Sequence, residues 1–115
     1  MTINRGDIVI APFRFADLDR YRARPGLVVS SSEIYGATAH IIGAMITLAA
    51  GLAWPLDVAV SDCVAGNLRQ GSFVRMKLFT IAQGVAGPQI GRIDERTLAA
   101  VRANLQSVLG LGMNG

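Results

Sequence analysis

Three arginines stand at alternate positions, Arg20, Arg22 and Arg24, and the last runs directly into Pro25. Guanidinium groups are permanently charged, planar forks of donors, so three of them in so short a span give a local field suited to phosphate oxygens. Pro25 fixes its own φ and pushes Arg24 toward an extended backbone. Arg24 is therefore expected at the mouth of a β-type run, Gly26 to Ser30, and not on a loose loop. Tyr21 and Phe15 lie among these arginines, where a ring could stack on an unpaired base or pack against the flank of the fold. Of the 11 basic residues all but Lys77 are arginine, and the formal net charge is +3. That bias supports a nucleic-acid partner more than the net charge alone does.

Other reactive residue types carry less. His40 is the only histidine, but it falls inside an apolar run, where a hydrogen-bonded histidine near a strand start is the favoured reading over a catalytic one. Cys63 is the only cysteine, which excludes an internal disulfide and a multi-cysteine zinc site and reads as a small core residue. Asp57 and Asp62 are too few for a metal site, and no cofactor is implied. Gly84, Gly87 and Gly91 read as turn residues, since they do not stand between a strand and a helix as a phosphate cradle requires.

The chain has 115 residues, 51% of them hydrophobic and 17% charged. That length and composition predict a single domain over 1–115, burying about two-thirds of its unfolded surface, and argue against disorder. Arg5 and Asp7 interrupt any apolar leader, and the lack of disulfides fits a cytoplasmic protein. Ile34 to Leu56 carries no formal charge and reaches the roughly 20 residues of a spanning helix. Tyr35, Thr38 and His40, with Gly36, Gly43, Gly51 and Pro55, break it up. It reads as turn, buried strand and loop, with no membrane partner.

Positioning these residues falls mainly to strands. Asp7 to Ala11 is a first strand closed by Pro12; Phe13 to Arg24 is an exposed loop or hairpin arm; Gly26 to Ser30 is a second strand. A turn region from Ser31 through Gly36 leads to a third, Ala39 to Leu48, and Val58 to Val60 is a fourth. Trp54 and Pro55 are expected to cover one end of the core. Asp62 to Asn67 reads as a helical turn or loop. Ser72 to Lys77 is a fifth strand, extended by Phe79 to Ala82, and Gln89 to Ile93 a short sixth. Asp94 suits a helix N-cap, and Leu98, Val101, Leu105, Val108 and Leu109 keep three- and four-residue spacing, predicting a helix over about 94–109 that Gly110 ends. The fold class is mainly β: a small, strongly bent SH3-like or OB-like barrel carrying a C-terminal helix.

Six segments in order resemble the PemK/MazF-like toxins of type II toxin–antitoxin modules. They are Gly6 to Val9 with Pro12-Phe13; Arg24 to Ser30; Met45-Ile46-Thr47; Trp54 to Val58; Ser72 to Arg75 with Lys77 to Ile81; and Ile90 to Ile93 before the helix. The resemblance implies a CcdB/MazF-type SH3-like barrel that forms a homodimer. It also implies a metal-independent endoribonuclease cutting single-stranded RNA at short sequences, with a cognate antitoxin that lies across the RNA groove. The family's strand-entry arginine falls on Arg24, and its Thr or Ser at the end of the third strand falls on Thr47. Cleavage would leave a 2′,3′-cyclic phosphate and a 5′-hydroxyl, inhibiting translation and growth.

In such a reaction the RNA supplies its own nucleophile, and the protein must orient the phosphate and offset its extra charge. Arg24 suits the charge stabiliser, possessing a forked donor set, and Thr47 offers a hydroxyl beside it. Arginine's pKa above about 12 argues against its acting as the base, which stays unassigned. Arg20, Arg22, Tyr21, Arg75 and Lys77 are candidate substrate-binding residues. Some members of the family have an Arg-x-Asp pair where this chain has Arg75-Met76-Lys77. Two rival readings keep the barrel: a CcdB-like gyrase-inhibiting protein, and a non-catalytic RNA- or DNA-binding barrel.

Overall fold

Asp7–Arg14 forms strand β1 and Tyr21–Val28 forms β2, paired antiparallel from Ile8↔Leu27 to Arg14↔Tyr21. Both strands outrun their expected limits, because Pro12 and Pro25 sit inside them without interrupting the ladder. The hydrogen bonding explains why. Ile10 gives its N–H to the Pro88 carbonyl and accepts from the Gly87 N–H, so its polar groups point away from β2. Pleating then turns Pro12 the same way, and turns Ile10's partner Pro25 away from β1 toward the next strand. Each missing N–H thus faces a side where no ladder bond is made, the usual condition for proline in a sheet.

The computed structural model describes residues 3–14, 21–48 and 53–112. Phe15, Asp17, Asp19 and Arg20, which the sequence places in the hairpin arm, lie outside them. After β2 comes a short helix that the sequence presents only as a turn region, α1 (Ser32–Thr38). Ser31 caps it by accepting from the Ile34 N–H at 3.3 Å, and Ala39 ends it in the left-handed region at φ 55°. Gly36 and the β-branched and aromatic neighbours obscure it in the sequence.

β3 (His40–Leu48), β4 (Val58–Ala59), β5 (Ser72–Ala82) and β6 (Gln89–Arg92) complete one antiparallel sheet of order β4-β5-β3-β2-β1-β6. It curls into a half-barrel, as the fold class requires. Between Ala44↔Leu78 and Ile46↔Val74 the register shifts, so that Met45 alone stands opposite Arg75, Met76 and Lys77. Such a bulge bends the strand that carries the extra residues, here β5. The main core, beneath the sheet, joins Ile8, Leu27, Ile46 and Val74 to Val101 of α2 (Glu95–Val108). Cys63 is buried in it, as expected.

Asp94 caps α2 as the sequence predicts. Its carboxylate accepts from the Thr97 N–H at 3.0 Å, the Thr97 hydroxyl at 2.7 Å and the Asp62 N–H at 3.2 Å, while Thr97 accepts from the Ser61 N–H. Leu98, Val101 and Leu105 pack inward, whereas Val108 and Leu109 are exposed. Among the described residues no helix is long and apolar enough to cross a membrane.

On the other face, Phe79 lies over Gly26 and Gly43 and meets the Phe13 ring edge-on at 4.9 Å. A Cβ at Gly26 would come within 2.7 Å of that ring, which fixes glycine directly after Pro25.

Candidate active site

The β2–β3 ladder makes three pairs, Val28↔Gly43, Leu27↔Ala44 and Gly26↔Met45, and stops. Beyond Met45 no further β2–β3 pair forms, and a cavity of about 480 Å³ is lined by residues of both strands. Its lining includes Arg24 and Pro25 of β2, Thr47 and Leu48 of β3, and Arg69 and Ser72. Thr47 is half-buried and pairs with Phe73 of β5, while Arg24 is half-buried and pairs with Ala11 of β1. Each is therefore held by a ladder on its outer side and faces the gap on its inner side. Among the described residues, Arg24 takes part in none of the ion pairs.

Pleating sets most of the sequence candidates on one face. Residues opposite one another share a face, as do alternate residues along a strand. Gly26 with Met45, and Thr47 with Phe73, place Arg22, Arg24, Thr47, Phe73, Arg75 and Lys77 together. Tyr21 falls on the opposite face and is 63% exposed, lining no part of the cavity.

Arg75 is held apart from the cavity. Its guanidinium donates to both oxygens of Asp57, Nε to Oδ1 at 3.3 Å and Nη2 to Oδ2 at 3.1 Å, and both side chains are largely buried. It also lies 5.2 Å from the Trp54 ring centre and 5.3 Å from that of Phe73. The carboxylate missing at Lys77 is thus supplied to Arg75 from Asp57, a residue distant in sequence. Trp54 does not cover the core as expected. It is 44% exposed and stacks outward on Arg75.

His40 begins β3 at the end away from Thr47, about 23 Å along the strand by residue rise. Its Nδ1 lies 2.8 Å from the Thr38 carbonyl, in keeping with a hydrogen-bonded role. Among the described residues no carboxylate or imidazole lines the cavity, and no three His, Cys, Asp or Glu side chains stand together.

Arg69 is the charged lining residue that sequence reasoning misses. It stands alone in a loop, and only the fold brings it within reach: the Ser72 hydroxyl donates to its carbonyl at 2.7 Å, and Asn67 donates to the Ile90 carbonyl at 3.1 Å. Two guanidinium groups and a hydroxyl around one opening suit a tetrahedral anion such as a phosphodiester.

Comparison with known proteins places this half-barrel with its terminal helix in a family. The sequence matches the family described as PemK-like, MazF-like toxin of type II toxin-antitoxin system over residues 4–109, and the chain belongs to that family. Among solved structures it is similar to MazF in a MazE–MazF complex from Deinococcus radiodurans, with 23% identity and TM-score 0.75, covering 97% of this chain and 99% of that one. An endoribonuclease in complex with its cognate antitoxin from Mycobacterial species shares 22% identity and TM-score 0.68, over 95% and 94%. The Mycobacterium tuberculosis toxin MazF-mt6 shares 23% identity and TM-score 0.68, over 90% and 96%. At these identities the structures establish the fold. No match was found among curated proteins.

Proposed function

We propose that the protein is the toxin of a type II toxin–antitoxin module and acts as a sequence-specific endoribonuclease on single-stranded RNA. The 2′-hydroxyl of the substrate attacks its own phosphorus and the 5′-oxygen departs, leaving a 2′,3′-cyclic phosphate and a 5′-hydroxyl. Arg24 holds the phosphate and offsets the charge that builds on its oxygens. Thr47 donates its hydroxyl to the same phosphate, and Arg69 steadies the neighbouring backbone. Arg22 and Lys77, on the same face, extend the basic track. Growth arrest follows from loss of intact RNA.

One observation supports this reading above the others: Arg24 and Thr47 line a single opening where the sheet parts. Family membership adds weight, since MazF-family toxins are endoribonucleases. No metal is assigned to the reaction, in line with the family pattern. The D. radiodurans and mycobacterial relatives were seen with their antitoxins, which supports a cognate antitoxin as partner here. Homodimer formation and a cytoplasmic setting go with the same proposal.

The test is incubation of purified protein with long single-stranded RNA in EDTA, followed by mapping of the ends. Discrete cuts bearing cyclic phosphates are expected. Intact RNA that stays bound would favour a non-catalytic barrel, and RNA neither cut nor bound would favour a protein target such as gyrase.

A further inference from the structure

Trp54 lies on a turn whose geometry is fixed from several sides. Its backbone N–H donates to Asp57 Oδ2 at 2.9 Å, and the Asp57 backbone N–H donates to the Trp54 carbonyl at 3.3 Å. Between them Leu56 adopts φ 67°, in the left-handed region that a leucine enters at a cost, and Asn104 of α2 donates to its carbonyl at 2.9 Å. One side of the indole rests on the Arg75 guanidinium, itself locked to Asp57 and backed by Phe73. The residue as a whole is nonetheless 44% exposed. A large ring braced this firmly and left open is a preorganised contact surface, because the ordering cost has already been met in the free protein.

Its position selects the ligand. Phe73, which backs Arg75, is the cross-strand partner of Thr47, so the stack begins at the wall of the Arg24–Thr47 cavity and leads outward along the same face. Arg24 and Arg69 make the opening basic, and Lys77 adds to that face. Arg75's own charge is matched by Asp57, so its task is to hold the ring and not to bind phosphate. A stacking aromatic beside a basic groove is the arrangement that binds unpaired nucleic acid.

We propose that Trp54 is a stacking platform for one unpaired base of the strand whose backbone passes through the cavity. The proposal rests on the nuclease reading only for the path of that strand. Because every base offers a π-face, the platform adds affinity without sequence readout.

Trp54 is the single tryptophan of the chain, so its emission reports on the site directly. The experiment titrates the protein with a mixed-sequence, uncleavable 2′-O-methyl RNA oligonucleotide, following emission and, separately, the anisotropy of a labelled oligonucleotide. Saturable quenching with the same midpoint as the anisotropy is expected. Trp54→Ala should weaken binding on the order of tenfold or more and Trp54→Phe much less, with thermal melts confirming that both variants fold. Bound oligonucleotide with flat emission and an unaffected Trp54→Ala variant would overturn the platform while leaving cleavage intact. So would a failure of any oligonucleotide to bind, which would turn this face over to a protein partner. Quenching by the oligonucleotide in a protein that cuts no RNA would sustain the platform and count against the nuclease reading alone.

Discussion

Carried two residues past Gly26 and Met45, the β2–β3 register would set Arg24 opposite Thr47; the ladder ends instead, and both residues line one cavity. Proline at position 25 fits this break, since its absent N–H points to the side where β3 has turned away. The same break that costs the sheet ladder bonds leaves a cavity of about 480 Å³ that both residues line.

Arg24→Ala should lower the cleavage rate by about 10²–10³, by analogy with the loss of one donor to a developing oxyanion. Its thermal midpoint should stay close to wild type, because Arg24 takes none of the ion pairs among the described residues. Arg24→Lys should recover little, because a point charge cannot reproduce the fork. Growth arrest on expression and a melting curve check both halves.

Thr47→Val keeps the β-branched shape that suits a strand and removes the hydroxyl, whereas Thr47→Ser keeps the hydroxyl. If the hydroxyl acts, Val slows cleavage roughly tenfold or more at unchanged stability and Ser restores most of the rate. Equal activity in all three forms would reduce Thr47 to a strand residue. Single-turnover kinetics decide between these outcomes.

Much of this arrangement is legible in the sequence. The β-rich pattern and the Asp94 cap predict what the structure contains, since each rests on local chemistry. Strand limits are less legible. Prolines 12 and 25 read locally as boundaries, yet each faces a side without ladder bonds, a fact that only the pairing of β1 with its neighbours reveals. Arg69 and the Asp57–Arg75 pair are long-range products of the fold. No spacing rule links Asp57 to Arg75 or carries Arg69 to Thr47.

RNA affinity should fall steeply with salt as arginine contacts release counterions, and Arg69→Ala should reduce the log–log slope by about 0.7, the value for one single-strand phosphate contact. Binding isotherms between about 50 and 200 mM salt measure this. An unchanged slope would remove Arg69 from the phosphate track.

Asp57→Ala leaves the Arg75 guanidinium largely buried without its carboxylate and deprives the Trp54 N–H of its acceptor. A stability loss of roughly 2–3 kcal/mol is expected in denaturant titration. The double variant Asp57→Ala with Arg75→Met, which removes both charges of the pair, should be tolerated better.

Asp94 makes stability depend on acid. Burial raises its carboxyl pKa, but hydrogen bonds from the Thr97 hydroxyl and from the Thr97 and Asp62 N–H groups outweigh this and hold it below the ordinary aspartate value. A group whose folded-state value is depressed stabilises above its unfolded value and loses that contribution as pH falls through the folded one. Stability should therefore decline below about pH 4, and less so in Asp94→Asn, as thermal melts across pH would show. Asp94→Ala should destabilise by about 1–2 kcal/mol even at neutral pH through loss of the cap.

The most direct measurement compares wild type and Arg24→Ala on one mapped RNA site and on the same strand with a 2′-deoxy sugar at that site. Wild type should cut only the ribose form, leaving a cyclic phosphate, and the variant should leave it almost untouched. Cutting of the deoxy strand, or full activity without Arg24, would contradict the account.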